Sequence, residues 1–194
     1  MNQLQKSIYN PLAKDRVTFL KNAAETSGAY TLVRVELAPK GGNELHFHTT
    51  FTEEFEVLEG TLSLELGKEV ISLNPGEKAT APRYKLHRFF NQDVSRPCTF
   101  LVTIRPARHF EEMLRIAYGL INDGLTNSKG IPKSIWHTAL MFDMGESYLP
   151  GIPYRIQKWL GAILAKEARR RGRHKELEKY YLPQQQELKE SMAA

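Results

Sequence analysis

Apolar and polar residues alternate along the first half of the chain in short runs that turn residues separate. The strongest run covers residues 29–37 and ends at the turn sequence Ala-Pro-Lys-Gly-Gly. A period of two is typical of half-buried strands. The pattern predicts many short strands between residues 15 and 106, a hairpin that turns near Glu59 and Gly60, and an irregular arm over residues 1–15. Such a set of strands indicates a sandwich or barrel.

The period changes from two to about 3.6 after Arg105 and Pro106. Three helices are predicted, over residues 109–121, 132–144 and 153–171, and residues 176–181 are expected to extend the third. The sequence therefore predicts a mainly β fold with C-terminal α-helices. It divides the chain into an antiparallel β-domain over residues 1–106 and a helical extension over residues 107–194, packed on the barrel or on a partner.

Composition places the chain among globular proteins. Its 194 residues include one cysteine, Cys98, so no internal disulfide can form. The first residues lack the apolar core of a signal peptide, and no apolar run is long enough to cross a bilayer. We therefore expect a cytoplasmic protein. A phosphate-binding glycine loop, a Gly-x-Ser-x-Gly elbow and a Cys-x-x-Cys pair are all missing from the sequence.

Positive charge is concentrated in the third predicted helix. Residues 155–175 hold eight Lys or Arg residues and a single acid, Glu167, in a chain of net charge +5. The same helix carries an apolar stripe of Ile156, Trp159, Leu160 and Ile163. Three interpretations stay open: a helix docked on the barrel with a solvated basic end, a contact with an anionic membrane surface, or nucleic-acid binding. Nucleic acid is the least favoured, because a single basic cluster is a non-specific signal.

Candidate chemistry lies in the β-domain. His46 and His48 are two residues apart, so on a strand they point to the same side. Glu53 follows a short turn, and His87 follows a Pro-Gly turn and another predicted strand. Taken alone, the His-x-His pair is weak evidence for a metal site, and surface or core histidines are the favoured interpretation. Three imidazoles and a carboxylate together suit a divalent first-row transition metal.

The spacing of these residues resembles the two motifs of the cupins. His46-x-His48-x4-Glu53-x6-Gly60 is similar to the first motif, and Gly76-x5-Pro82-x4-His87-x3-Asn91 is similar to the second. The resemblance covers residues 25–105, with the motifs at about 41–91. It implies an antiparallel double-stranded β-helix, the jelly roll or RmlC-like barrel, with a site inside one end. It also implies the metal ligands His46, His48, Glu53 and His87.

Two positions depart from the motifs. Lys40 stands where the first motif opens with glycine, although Gly41 and Gly42 follow it, and Tyr84 replaces a glycine of the second motif. The tyrosine is a candidate catalytic group at the edge of the pocket. Strand parity places Phe55 on the side of Glu53 and Phe89 on the side of His87, so both are candidate lining residues of an apolar pocket.

These observations favour a metal-binding cupin that acts on a small, partly hydrophobic organic molecule as an oxygenase or isomerase. The metal would be Fe, Mn, Ni or Zn. The alternative is a non-catalytic ligand-binding module whose basic helix contacts a membrane surface or a partner. The resemblance also implies a homodimer. The substrate stays open, since one fold hosts many activities.

Overall fold

The computed structural model describes residues 5–182. It contains eleven strands and four helices within that range. The strands are β1 (Ser7–Asn10), β2 (Asp15–Lys21), β3 (Thr31–Leu37), β4 (Phe47–His48), β5 (Thr52–Glu59), β6 (Leu62–Leu66), β7 (Glu69–Leu73), β8 (Lys78–Ala81), β9 (His87–Phe90), β10 (Cys98–Arg105) and β11 (Ser147–Tyr148). The helices are α1 (Phe110–Asn122), α2 (Ile135–Gly145), α3 (Tyr154–Arg170) and α4 (Lys175–Tyr181).

Antiparallel pairing arranges the strands in two layers. One layer is a six-stranded sheet in the order β1-β2-β3-β10-β5-β8, and the other contains the three strands β7-β6-β9. An isolated bridge between His46 and His87 joins β9 to the segment that leads into β4, and β4 pairs with β11. The mainly β jelly roll with C-terminal helices is confirmed.

The core lies between the two layers and follows the strand alternation. Val33, Val35 and Leu37 of β3 are buried together with Phe55 and Val57 of β5, while the intervening residues are more exposed. Side chains along a strand alternate between the two faces of the sheet, so every second residue is buried when one face is covered. It also fixes the register of β5, so that Glu53 points into the same interior as Phe55.

Two local expectations were wrong. Residues 7–10 of the expected irregular arm form β1, which pairs with β2 along Ser7–Asn10 and adds a hydroxyl contact of 2.8 Å between Ser7 and Thr18. Glu59 and Gly60 do not turn a hairpin, because β5 pairs with β10 and β8 whereas β6 pairs with β7 and β9. Gly60 instead turns the chain from one sheet to the other, at φ 77° and with no room for a Cβ beside Pro97.

Helix α1 packs on both parts of the molecule. Phe110 and Tyr118 are buried in the core of the β-domain, whereas Ile116 and Leu120 are buried in a second core that α2, α3 and α4 share. Helices α1, α2 and α3 start and end within three residues of the predicted bounds. Residues 176–181, which were expected to extend the third helix, lie in the separate helix α4. Within residues 5–182, no helix combines the length and the apolar character that crossing a membrane would demand.

Candidate metal centre

Three separate segments position the four candidate ligands. His46 and His87 face each other across the isolated bridge and exchange two backbone hydrogen bonds, of 3.0 and 2.8 Å. His48 lies in β4, two residues farther on, and Glu53 lies near the start of β5. His48, Glu53 and His87 are buried. The fold therefore brings residues that are up to 41 positions apart to one place, inside the barrel.

The donor atoms are close enough to share one ion. One donor atom from each of the four residues lies within 4.8 Å of the others. The Nε2 atoms of His46 and His48 are 3.1 Å apart, and Nε2 of His87 is 3.0 Å from a carboxylate oxygen of Glu53. Nε2 of His48 is 3.7 Å from the other carboxylate oxygen. The Nε2 atoms of the three histidines and the carboxylate of Glu53 therefore point toward one common position.

The outer nitrogen of each imidazole is held by an acceptor. Nδ1 of His46 donates to the carbonyl of Glu44 at 2.8 Å, and Nδ1 of His87 donates to the carbonyl of Lys85 at 2.8 Å. Nδ1 of His48 lies 3.0 Å from the hydroxyl of Ser147. A carbonyl can only accept, so Nδ1 of His46 and Nδ1 of His87 each carry a proton, and Nε2 is the nitrogen that faces the cluster. Neutral imidazoles that are fixed in this way are the usual histidine ligands of metals.

The electrostatics agree with that donor set. Burial lowers the pKa of His46, and it lowers the pKa of His48 to about 3. Burial opposes ionisation of Glu53, but the neighbouring imidazoles outweigh it and lower the pKa of the carboxyl to about 2. Burial also opposes protonation of His87, yet its hydrogen bond to Glu53 raises its pKa above the ordinary value. At neutral pH the cluster therefore offers a carboxylate and at least two neutral imidazoles, and the donor set fits a divalent transition metal.

Aromatic packing fixes the orientation of His48. The ring of Phe51, a fully buried residue, stacks on the imidazole with centroids 4.0 Å apart and an angle of 29° between the planes. A hydrogen bond between the Ser147 hydroxyl and Nδ1 fixes the edge of the same ring. Neither residue was predicted from the sequence. Phe51 lies between two motif positions and could have been noticed as a large apolar residue, but nothing in the sequence points to Ser147.

A cavity of about 450 Å³ opens beside the cluster and is lined by His46, His48 and Glu53. Its volume falls in the range of small-molecule sites. The lining is mostly apolar and includes both predicted residues, Phe55 and Phe89. Helix α1 contributes one wall through Phe110, Met113, Leu114, Ala117 and Tyr118. The helical extension is therefore part of the cavity.

A second polar group lines the same cavity. The hydroxyl of Tyr118 lies 2.8 and 2.7 Å from the two carboxyl oxygens of Asp15, and both side chains are buried. Burial raises the pKa of Asp15 to about 6. A phenol has a single hydrogen, so both short contacts are satisfied when the carboxyl carries a proton of its own. Strand parity could have revealed Asp15, because it shares the inward face of β2 with Val17 and Phe19.

Lys40 and Tyr84, the two departures from the motif glycines, keep the backbone shape of glycine. Lys40 has φ 59° and Tyr84 has φ 65°. The Tyr84 N–H donates to the carbonyl of His48 at 2.7 Å, so this conformation supports a candidate ligand strand. The side chain of Tyr84 is 60% exposed and lies against Tyr154, and it is not among the described residues that line the cavity. A catalytic role for Tyr84 stays a prediction.

Comparison with known families agrees with this geometry. Residues 33–104 match the family model of the cupin domain. This part of the chain is a cupin domain. The match spans the candidate ligands from His46 to His87, and it ends before the helical extension begins.

Relatives of the cupin domain include proteins of several kinds. The epoxidase atD of Aspergillus terreus is 28% identical over 142 residues, which cover 63% of this chain and 44% of that protein. This chain thus spans less than half of that relative. The polyketide cyclase RemF of Streptomyces resistomycificus has a TM-score of 0.45 and 24% identity, and the match covers 54% of this chain and 79% of that chain. An RmlC-like cupin from Shewanella frigidimarina NCIMB 400 has a TM-score of 0.45 and 17% identity, over 54% of this chain and 86% of that chain.

Proposed function

We propose that this protein is a metal-dependent enzyme that oxygenates or isomerises a small, partly apolar organic molecule in the cavity of its cupin domain. The observation that carries the proposal is the convergence of His46, His48, Glu53 and His87, with the first three exposed to a cavity of about 450 Å³. Structural metal sites are closed, whereas catalytic sites keep a position open to substrate. A donor cluster on a cavity wall matches the second description.

The residues that would hold the ion are His46, His48, Glu53 and His87. When bound, a divalent transition metal supplies Lewis acidity toward a carbonyl or enolate oxygen and, if it is redox-active, one-electron chemistry with dioxygen. The chain itself sets the conditions for that chemistry. The three Nδ1 contacts hold the imidazole rings in place, and the Glu53 carboxylate contributes negative charge to the centre.

The composition of the cavity walls supports a partly apolar substrate. Phe55, Phe89 and Phe110 line the space beside the cluster with apolar rings and favour an apolar or aromatic body. Asp15 and Tyr118 offer hydrogen bonds to a polar group of the same molecule. Because burial raises the pKa of Asp15 to about 6, its carboxyl holds a proton more readily than an exposed aspartate and can donate as well as accept.

Similarity to a protein named an epoxidase favours the oxygenation branch of this proposal over isomerisation. The fungal protein is more than twice as long as the matched region, so its substrate does not carry over. Fold alone cannot choose among activities, because cupin-type sites serve several chemistries.

Metal content and turnover test the proposal together. Purified protein is supplied with Fe(II), Mn(II), Ni(II) or Zn(II), and bound metal is counted by mass spectrometry. The metal-loaded protein is then incubated with a panel of small aromatic and enolisable compounds while oxygen uptake and product formation are followed. We expect one ion per chain and turnover of at least one compound class. His46→Ala should weaken metal binding by more than the roughly 10- to 100-fold that loss of a supporting hydrogen bond costs.

The matched control is His109→Ala, which removes an exposed histidine outside the cluster. It should retain both metal and turnover. If the protein binds none of the four ions, the proposal of a metal-dependent enzyme is contradicted. Protein that binds metal and a panel compound without converting any compound would instead indicate the non-catalytic binding module.

A further inference from the structure

Four large apolar side chains of helix α3 lie on its solvent side. Ile156, Trp159, Leu160 and Ile163 follow one another at helical spacing and form the α3 stripe. Their side chains are 54%, 67%, 47% and 47% exposed. Isolated exposed apolar residues are ordinary, but a contiguous row of them marks an interaction surface.

The opposite face of the helix is the one that packs. Ala165 and Ala168 are buried in the helical core, and a Cβ built at Gly161 would lie 3.9 Å from Phe142 of α2. Small residues let α3 approach α2 closely, so the helix is held in place without help from the α3 stripe. Of the three interpretations of this helix, docking through the stripe does not hold within the described residues, because the stripe is exposed and α3 packs on α2 through its other face.

Ion pairs neutralise part of the basic cluster. Glu167 pairs with Arg170 at 2.7 Å and with Arg171 at 2.6 Å, and Asp143 pairs with Arg169 at 2.6 Å. Three further cations outside these pairs lie close to the α3 stripe.

Arg155, Lys158 and Lys166 are exposed and form no ion pair with another described residue. Arg155 precedes Trp159 by four positions and Lys166 follows Ile163 by three, which makes both cations neighbours of the stripe on the helix surface. The α3 stripe is therefore bordered by positive charge at both ends, and its partner should combine an apolar interior with a negative surface.

We propose that α3 docks on an anionic phospholipid bilayer, with the α3 stripe in the boundary between headgroups and acyl chains. An indole ring suits that depth, and Lys or Arg near an anionic leaflet strengthens attachment by about fivefold per residue. A second copy of the chain fits less well. Pairing two stripes would bring Arg155 and Lys166 of one copy near the same cations of the other, and like charges repel.

Vesicle sedimentation with the full-length, metal-loaded protein tests this surface. The vesicles are pure phosphatidylcholine, or phosphatidylcholine mixed with phosphatidylglycerol. One variant removes the stripe (Trp159→Ser with Ile163→Ser), and another reverses the bordering charge (Arg155→Glu with Lys166→Glu). The matched controls are Val94→Ser, at a side chain that is 75% exposed elsewhere, and Lys6→Glu with Lys68→Glu, at exposed cations of the β-domain. Circular dichroism checks that each variant folds.

Wild-type protein should bind the anionic vesicles and leave the neutral vesicles unbound. Each test variant should lower the partition coefficient by at least about tenfold, while the controls stay within about twofold. In a Trp136→Phe background Trp159 is the remaining indole, and its emission should shift to the blue on anionic vesicles.

Three results would overturn the proposal: equal binding to neutral vesicles, binding that the stripe variant leaves unchanged, or sedimentation velocity that shows a dimer which the stripe variant converts to a monomer. The last result would assign the α3 stripe to a contact between subunits. None of these results bears on the metal centre, so this inference and the enzymatic proposal fail separately.

Discussion

The hydroxyl oxygen of Ser147 lies 3.0 Å from Nδ1 of His48, so a residue of the helical extension contacts a candidate metal ligand of the barrel. The same hydroxyl donates its hydrogen to the carbonyl of Gly145 at 3.0 Å. Ser147 therefore accepts from His48, and the imidazole must carry its proton on Nδ1. Pairing of β11 with β4 holds the two residues in register.

We predict that Ser147→Ala weakens metal binding by about 10- to 100-fold, as loss of an outer hydrogen bond to a ligand histidine usually does. Ser147→Thr keeps the hydroxyl and should restore most of the affinity. Isothermal titration calorimetry at one pH measures all three proteins. Thr50→Ala is the matched control, because that hydroxyl bonds to Glu146 and not to a candidate ligand. An affinity for Ser147→Ala within twofold of wild type would contradict the assigned role.

The ion pair between His87 and Glu53 gives metal binding a definite pH dependence. Its contact of 3.0 Å raises the pKa of His87 above the ordinary value, so below that pKa a metal must displace a proton from His87. Affinity should be flat at high pH and should fall by about tenfold per pH unit once the pH drops below this raised pKa.

Calorimetry in buffers of different ionisation enthalpy measures the proton that is released. Glu53→Gln provides the internal check, since it removes the group that raises the pKa of His87. Its overall affinity should be lower, and its decline should begin at a lower pH than in the wild type. A decline that begins at the same pH in both proteins would show that another group controls the titration.

The buried pair of Asp15 and Tyr118 should make folding stability depend on pH. The folded-state pKa of Asp15 is raised to about 6 by burial, whereas an unfolded aspartate ionises near 3.9. The folded protein therefore holds this proton more tightly, and the stabilisation is complete below about pH 4 and is lost as the pH rises through about 6. A difference of about two pKa units corresponds to roughly 3 kcal/mol.

Asp15→Asn is neutral at every pH and can still accept the hydrogen of Tyr118. We expect the stability of the wild type to fall relative to this variant by roughly 2 kcal/mol between pH 4.5 and 7.5. Urea denaturation of the metal-free proteins at several pH values gives the difference. A gap between the two proteins that stays constant with pH would contradict a raised pKa for Asp15.

The left-handed backbone at Lys40 predicts a gain in stability from glycine. A side chain at φ 59° costs roughly 1 kcal/mol, and glycine avoids that cost. Lys40→Gly should therefore unfold with a free energy roughly 1 kcal/mol higher than Lys40→Ala, which keeps the unfavourable conformation. Both variants lose the hydrogen bond of 3.0 Å that the Lys40 ammonium donates to the carbonyl of Gln92, so the difference between them isolates the backbone.

The parts of the fold that follow from local pattern could be predicted from the sequence. Alternation along β3 and β5 predicted the strands and the inward side of Glu53, and the helical period after Pro106 predicted α1, α2 and α3. Residues 176–181 were expected to extend the third helix, but they lie in the separate helix α4. The turn at Gly60 was misread because a glycine marks a turn without saying which strand the chain pairs with next. Pairing depends on the whole sheet, and here it sends β5 and β6 into different layers.

The candidate ligands were predictable because motif spacing encodes strand parity and turn length. Their supporting contacts were not. Ser147 lies 99 positions from His48, in a segment whose sequence indicates only a turn. Tyr118 contacts Asp15 across 103 positions, and a tyrosine on a helix carries no sign of the strand that it will meet. Such pairs arise from the way the extension packs on the barrel, which no local pattern describes.

The two faces of α1 serve different purposes, because one lines the cavity and the other packs in the helical core. Residues such as Met113 and Leu114 shape the cavity, whereas Ile116 and Leu120 lock the helices together. Exchanges on the first face can retune which molecules are admitted while the helical assembly stays intact. A lineage that carries this scaffold can therefore alter the cavity through one face of a single helix, without rebuilding the barrel.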